Sequence, residues 1–213
     1  MKHRPDTKIR LLFVLAFFTI SSSLFAQAKP DALKMYREGR YEEARIICLN
    51  ELAADPENME SYVVLVWSLQ ALERYGDAEV YARKAYTSIR KDARIIESLG
   101  ELAFFQGKNA DALAHFREYV NLLPDGARIG SVYYYMGESY LRMEKLEHAD
   151  IAIRTALQYE PKNAQWWTRL GYVRERASYW SLALEAYNMA LGLNAGLTDA
   201  LRGKERVEAR IRR

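Results

Sequence analysis

The chain has 213 residues, 31 Lys and Arg against 28 Asp and Glu, a formal charge of +3 and a single cysteine. One cysteine excludes an internal disulfide, so stability must come from a packed core, which a chain of this length can supply. So small a net charge excludes a bulk electrostatic case for nucleic-acid binding.

The first stretch reads as an address. Lys2, Arg4, Lys8 and Arg10 are basic, residues 11–20 are apolar except for Thr19, and Ser21-Ser22-Ser23 precedes Ala26-Gln27-Ala28. This is the layout of a secretory signal peptide over residues 1–28, with cleavage expected after Ala26 or Ala28. The apolar run is short for a spanning helix, which needs about 20 residues; an uncleaved anchor is the alternative. No Cys stands near the cleavage point, which argues against a lipoprotein signal. The expectation is an exported, periplasmic protein. The segment holds four basic residues and Asp6, so the rest of the chain balances at 27 basic and 27 acidic residues.

From Asp31 the chain repeats itself. Ala44, Ala78, Ala112, Ala149 and Ala183 are separated by 34 residues three times and by 37 once. Thirteen residues before four of these alanines stand Leu65, Leu99, Met136 and Leu170, each followed by Val66, Gly100, Gly137 or Gly171. Sixteen before are Tyr62, Ile96, Tyr133 and Trp167; twelve after are Pro56, Pro124 and Pro161. The pattern resembles the tetratricopeptide repeat (TPR) family, whose unit is a helix–turn–helix of about 34 residues. Departures occur: Val66 replaces Gly, Arg90 and Ala195 occupy Pro slots, and Glu51 and Tyr119 stand where Ala85, Ala156 and Ala190 fill a small slot. The resemblance implies an all-α fold, a right-handed α-solenoid of about five TPR units with a C-terminal capping helix. The units are expected at residues 29–58, 59–92, 93–126, 130–163 and 164–197, with the cap at 198–213.

Physical reasons accompany the pattern. Each unit carries apolar residues at three- and four-residue spacing, as amphipathic helices do. Gly within a helix costs about 1 kcal/mol relative to Ala, so Gly100, Gly137 and Gly171 call for close approach of a partner helix. Pro56, Pro124 and Pro161 end second helices. The longer interval places its extra residues at 123–128, where Pro124-Asp125-Gly126 is turn chemistry. Asp31 suits an N-cap for a truncated first helix. In the last helix Leu197, Leu201, Val207 and Ile211 are expected to form the apolar stripe.

Catalytic signatures are missing. His3 lies in the leading segment, and His115 and His148 stand on different units without a Cys, His or carboxylate at ligand spacing. Gly107-Lys108-Asn109 lacks the frame of a phosphate loop, and no G-x-S-x-G occurs. Cys48 falls on the inner face of a second helix, where a buried small side chain is expected; an exposed thiol is the alternative. No enzyme, cofactor or metal is expected.

The resemblance implies a concave face lined by the first helix of each unit. Carried onto this sequence, the inward slots include Val63, Trp67 and Gln70 in the second unit, and Arg94, Glu97, Glu101 and Phe105 in the third. Tyr134, Glu138 and Arg142 follow in the fourth, and Tyr172 and Glu175 in the fifth. The first unit supplies at most Leu33, Tyr36 and Arg37. The aromatics suit partner anchors. Glu97, Glu101, Glu138 and Glu175 are expected to form a negative stripe favouring a partner segment with Lys or Arg among apolar residues. These slots hold no Lys or Asn, which argues against a clamp for a C-terminal carboxylate. The function expected is a protein-interaction adaptor of the cell envelope that binds a partner peptide or helix. A ligand- or transporter-associated periplasmic binding subunit is the alternative. A third reading has Arg202, Lys204, Arg206, Arg210, Arg212 and Arg213 contacting anionic lipid or an acidic partner; membrane contact is otherwise expected only through an uncleaved signal.

Overall fold

The computed structural model describes residues 31–88 and 91–212, within a compact unit spanning Asp31–Arg213. The expected signal peptide, Arg90 at its Pro slot and Arg213 lie outside the described residues. Among the described residues every regular element is an α-helix. First helices are α1 (Ala32–Arg37), α3 (Met59–Ala71), α5 (Ala93–Phe105), α7 (Ile129–Arg142) and α9 (Ala164–Arg176). Each is followed by a second helix: α2 (Tyr41–Ala54), α4 (Tyr75–Ser88), α6 (Asn109–Leu122), α8 (Leu146–Tyr159) and α10 (Trp180–Leu193). The array ends with α11 (Thr198–Ile211). Successive helices pack antiparallel, and first helices also touch along the stack, α1 on α3, α3 on α5 and α5 on α7.

The recurring small residues have a steric cause. All five beat alanines are fully buried. Four residues after them come the side chains that plug each helix pair. A Cβ on Gly100 would stand 2.5 Å from the Phe116 ring, one on Gly137 2.5 Å from Ile153, and one on Gly171 2.7 Å from Tyr187. The second unit reverses the sizes, with Val66 at the glycine slot and Ala82 at the plug slot, both fully buried. Total volume is conserved, so the departure from Gly is tolerated. In the truncated first unit the pair is Ala32 and Cys48. Cys48 is fully buried, and burial pushes its thiol up to about 12, so it is inert. Ala112→Leu is expected to cost about 1–3 kcal/mol by overpacking, read as a lower urea midpoint; an unchanged midpoint would contradict this packing.

Caps and turns follow the same frame. Asp31, Asn58, Asp92 and Asn163 precede α1, α3, α5 and α9, and each accepts a first-turn backbone N–H. Unit four differs: Arg128 occupies the N-cap of α7 and makes no side-chain cap bond. Between first and second helices, five residues before each beat alanine, Gly39, Glu73, Gly107, Glu144 and Ser178 all have φ between 57° and 77°. The tight turn demands a left-handed residue, and Gly39 and Gly107 supply it without steric cost. Glu73 pays that cost, so Glu73→Gly is expected to raise stability by about 0.5–1 kcal/mol. Chemical denaturation measures it, and a lower midpoint would refute the turn argument.

The last helix buries only part of the expected stripe: Val207 is buried and Leu197 packs beside it, but Leu201 and Ile211 do not join them. Ala200, Gly203 and Val207 are buried, whereas Leu201 and Ile211 are 43 % and 48 % exposed. The reason is Tyr187. Its ring fills the space a Cβ on Gly203 would occupy, so only a small-residue stripe can approach.

Candidate partner-binding groove

The first helices of units one to four enclose a hollow of about 670 Å³. Tyr36 of α1 faces Trp67 of α3, with ring centroids 5.7 Å apart. On the opposite side Tyr75 stacks on Phe105 at 5.5 Å, and Tyr135 of α7 meets Phe105 edge-on at 6.1 Å. Phe105 is 46 % exposed. The six-residue connection 123–128 closes one side through Leu123, Ala127 and Arg128. The extra residues of the long interval therefore form part of the wall.

Charge in this hollow is concentrated on α5. Glu97 and Glu101 lie four residues apart on one helix face. Arg128 reaches both, its Nε donating to Glu97 Oε1 at 2.6 Å and its Nη2 to Glu101 Oε1 at 2.8 Å. Gln70 Nε2 donates to the other Glu101 oxygen at 3.1 Å. Burial pushes both carboxyls above the usual range, against the pull of Arg128. Arg94, at the rim, donates to both oxygens of Glu60 at 2.7 and 2.6 Å and also holds Asp92.

The remaining expected site residues lie toward the C-terminal end. Tyr134 stacks flat on Trp166 at 5.0 Å, and burial raises its phenol to about 12. Glu138 accepts two bonds from Arg169, at 2.7 and 2.6 Å. Arg142 lies over the Phe104 ring at 3.7 Å and donates to the Phe104 carbonyl at 2.8 Å. Tyr172 borders a second hollow of about 290 Å³ beside Arg202 and Arg206. Glu175 accepts two bonds from Arg206, both 2.7 Å, and one from the Tyr187 hydroxyl at 2.7 Å.

Two expectations need correction. Val63 does not line the groove: it is 1 % exposed, within the core where α3 packs between its neighbours. Its slot is turned into that packing because α3 is apolar on nearly every face. The four glutamates do not form an open negative stripe. Arg128, Arg169 and Arg206, each 31 residues beyond a glutamate partner, reach back from the next unit or the cap: Glu138 and Glu175 are each paired with one arginine, and Glu97 and Glu101 share Arg128. The groove also contains residues outside the expected set. Tyr75, Tyr119, Arg128 and Tyr135 all border the large hollow. Arg128 stands 21 residues before Ala149, one outside the slot that holds Asn58, Asp92 and Asn163 at 20 before their alanines, so the repeat register did not mark it.

The histidines stand apart from this site. His148 is exposed, while His115 is half-buried edge-on to Tyr86, where burial lowers its pKa. Among the described residues no group of three or more His, Cys, Asp or Glu is placed to hold a metal ion, and no helix is long and apolar enough to cross a membrane. In the C-terminal helix, Arg206 is held by Glu175, and Lys204 and Arg212 pair with Glu208.

Comparison with known proteins agrees with this architecture. Residues 134–197 match the tetratricopeptide repeat family. The BBSome complex member bbs-4 of Caenorhabditis elegans is 28 % identical over 102 residues, covering 48 % of this chain and 21 % of that protein. The chain thus overlaps about a fifth of that relative's length. MamA from Desulfovibrio magneticus RS-1 superimposes with a TM-score of 0.70 at 19 % identity, over 78 % of this chain and 93 % of that one. Pseudomonas aeruginosa pilF gives 0.73 at 18 % identity, over 85 % and 81 %. YrrB, described as a TPR protein with an unusual peptide-binding site, gives 0.69 at 17 % identity, over 82 % and 88 %. These structural likenesses establish the fold. The family match covers residues 134–197, and the same frame of buried Ala and Gly slots recurs in the units before it, so the array as a whole is similar to tetratricopeptide repeat proteins.

Proposed function

We propose that this chain is a non-catalytic adaptor of the cell envelope that receives a segment of a partner protein in the hollow between α1 and α7. The observation carrying this reading is the hollow itself: about 670 Å³, walled by aromatic rings from successive units, with Phe105 presenting an exposed face. Aromatic anchors in desolvated pockets dominate many interfaces. The fold supports an interaction scaffold, and the peptide-binding site in YrrB's description supports a peptide or helix as occupant. The envelope assignment rests on the composition of residues 1–28.

Two measurements test it. The protein is crosslinked in its own cell envelope and the captured protein identified, with Trp67→Ala as the control. Loss of the captured band in that variant, at unchanged melting temperature, is expected. Equal capture by Trp67→Ala would remove the hollow from the interface. N-terminal sequencing of the isolated protein checks export: a chain beginning at residue 27 or 29 is expected, and one that retains Met1 refutes processing.

A further inference from the structure

We infer that the hollow is a receptor for a cationic side chain, arginine or lysine, flanked by apolar residues in the partner segment, and that Arg128 is its internal stand-in. This rests on the groove reading above and specifies its chemistry.

The charge balance is the first ground. Glu138 and Glu175 each have their own guanidinium, bound through two hydrogen bonds. Glu97 and Glu101 share one, with a single bond apiece from Arg128. Arg94, the other arginine bordering the hollow, is engaged by Glu60 and Asp92, and Gln70 adds only a neutral donor. The hollow therefore holds two carboxylates against one cation. A buried carboxylate without full compensation is costly, and Glu97 is only 7 % exposed. A second cation entering from a partner would supply the missing charge-assisted bonds.

The walls match the same occupant. Tyr36, Trp67, Tyr75, Phe105 and Tyr135 line the hollow, and aromatic rings attract guanidinium or ammonium groups as well as packing apolar neighbours. An anionic or purely apolar segment would bring no second cation to the two carboxylates that share Arg128.

Arg128 itself is the third ground. Elsewhere the N-cap position holds an Asp or Asn that caps the following helix. Giving up such a cap costs about 1 kcal/mol, and in exchange a guanidinium reaches the acid pair. It sits on the inserted connection rather than within a helix, and its side chain is 54 % exposed. It is thus placed to yield one carboxylate to an incoming cation without disturbing the stack.

The test selects phage-displayed random heptapeptides on the full-length protein, with placement read from hydrogen-exchange protection of α3 and α5. Recovered peptides are expected to carry Arg or Lys beside Trp, Phe or Leu. Replacing that Arg by citrulline, or that Lys by norleucine, should weaken binding about tenfold or more on the unmodified protein, and by less than about twofold on Glu101→Gln. Arg128→Ala should tighten binding of the cationic peptide several-fold, whereas a purely structural Arg128 would weaken it. If Glu101→Gln does not fold, the neutralised peptides on the unmodified protein decide. Peptides that protect α3 and α5 but tolerate the neutral replacement overturn the charge inference and leave the groove reading standing. Recovery of no peptide that protects these helices overturns both.

Discussion

Tyr187→Ala is expected to destabilise the protein by about 3–5 kcal/mol, the usual range for removing a large buried aromatic side chain, and to loosen α11. Tyr187 is 1 % exposed. Its ring lies between two glycines, and a Cβ on either Gly171 or Gly203 would collide with it. Removing the ring leaves a cavity bounded by two helices that have no side chain to refill it, so collapse is poor and the cost falls toward the upper end. The hydroxyl also donates to Glu175 at 2.7 Å, and Glu175 in turn holds Arg206 of α11. Tyr187→Phe keeps the packing and deletes only that bond, so it should cost about 1 kcal/mol. Urea denaturation measures both, and hydrogen exchange across Thr198–Ile211 reads the docking of α11. A cost below about 1 kcal/mol for the alanine variant would contradict a ring-locked cap, because a typical surface substitution reaches only about 0.5 kcal/mol.

Glu101→Lys should reduce partner capture by about a hundredfold, equivalent to the 2–5 kcal/mol lost when one member of a buried, hydrogen-bonded charge pair is removed. The half-buried carboxylate accepts from Arg128 at 2.8 Å and from Gln70 at 3.1 Å. Lysine removes both acceptors and places a cation beside Arg128, in a hollow that Arg94 also borders. The same change should lower stability by about 1–3 kcal/mol, since Arg128 loses one of its two anions. Capture is therefore measured well below the melting transition and beside Trp67→Ala, which removes an aromatic wall without altering charge. If both variants capture the partner as the unmodified protein does, the hollow is not the interface.

The fold was legible in the sequence because its repeat is a steric necessity. Ala112 meets the paired helix where nothing larger fits, and Gly100 exists because Phe116 needs its space. The interval of 37 also located the long connection at 123–128, although not its role as a wall of the hollow. The cap was read rightly at Leu197 and Val207 but not at Leu201 and Ile211, which hydropathy favours. Packing against Tyr187 instead favours Ala200 and Gly203, whose smallness carries no hydropathy signal. The acid stripe failed for a related reason. Arg128, Arg169 and Arg206 each lie 31 residues from a glutamate they bind, so the pairing follows from stacking units rather than from any local pattern. Val63 shows the limit of transferring slots between units: α3, apolar on almost every side, is buried more deeply than the helices after it. The left-handed turn slot, by contrast, was available in Gly39 and Gly107 at a common distance before Ala44 and Ala112.

The most direct test places a photo-crosslinking amino acid at Phe105 within the hollow, and at Val80, 64 % exposed on a second helix, as the comparison. Irradiation is carried out in the cell envelope. A covalent adduct with one partner protein from position 105 and none from position 80 is the predicted result. An adduct from position 80 alone would contradict the account, because the partner would then be held by the second helices and not by the aromatic hollow.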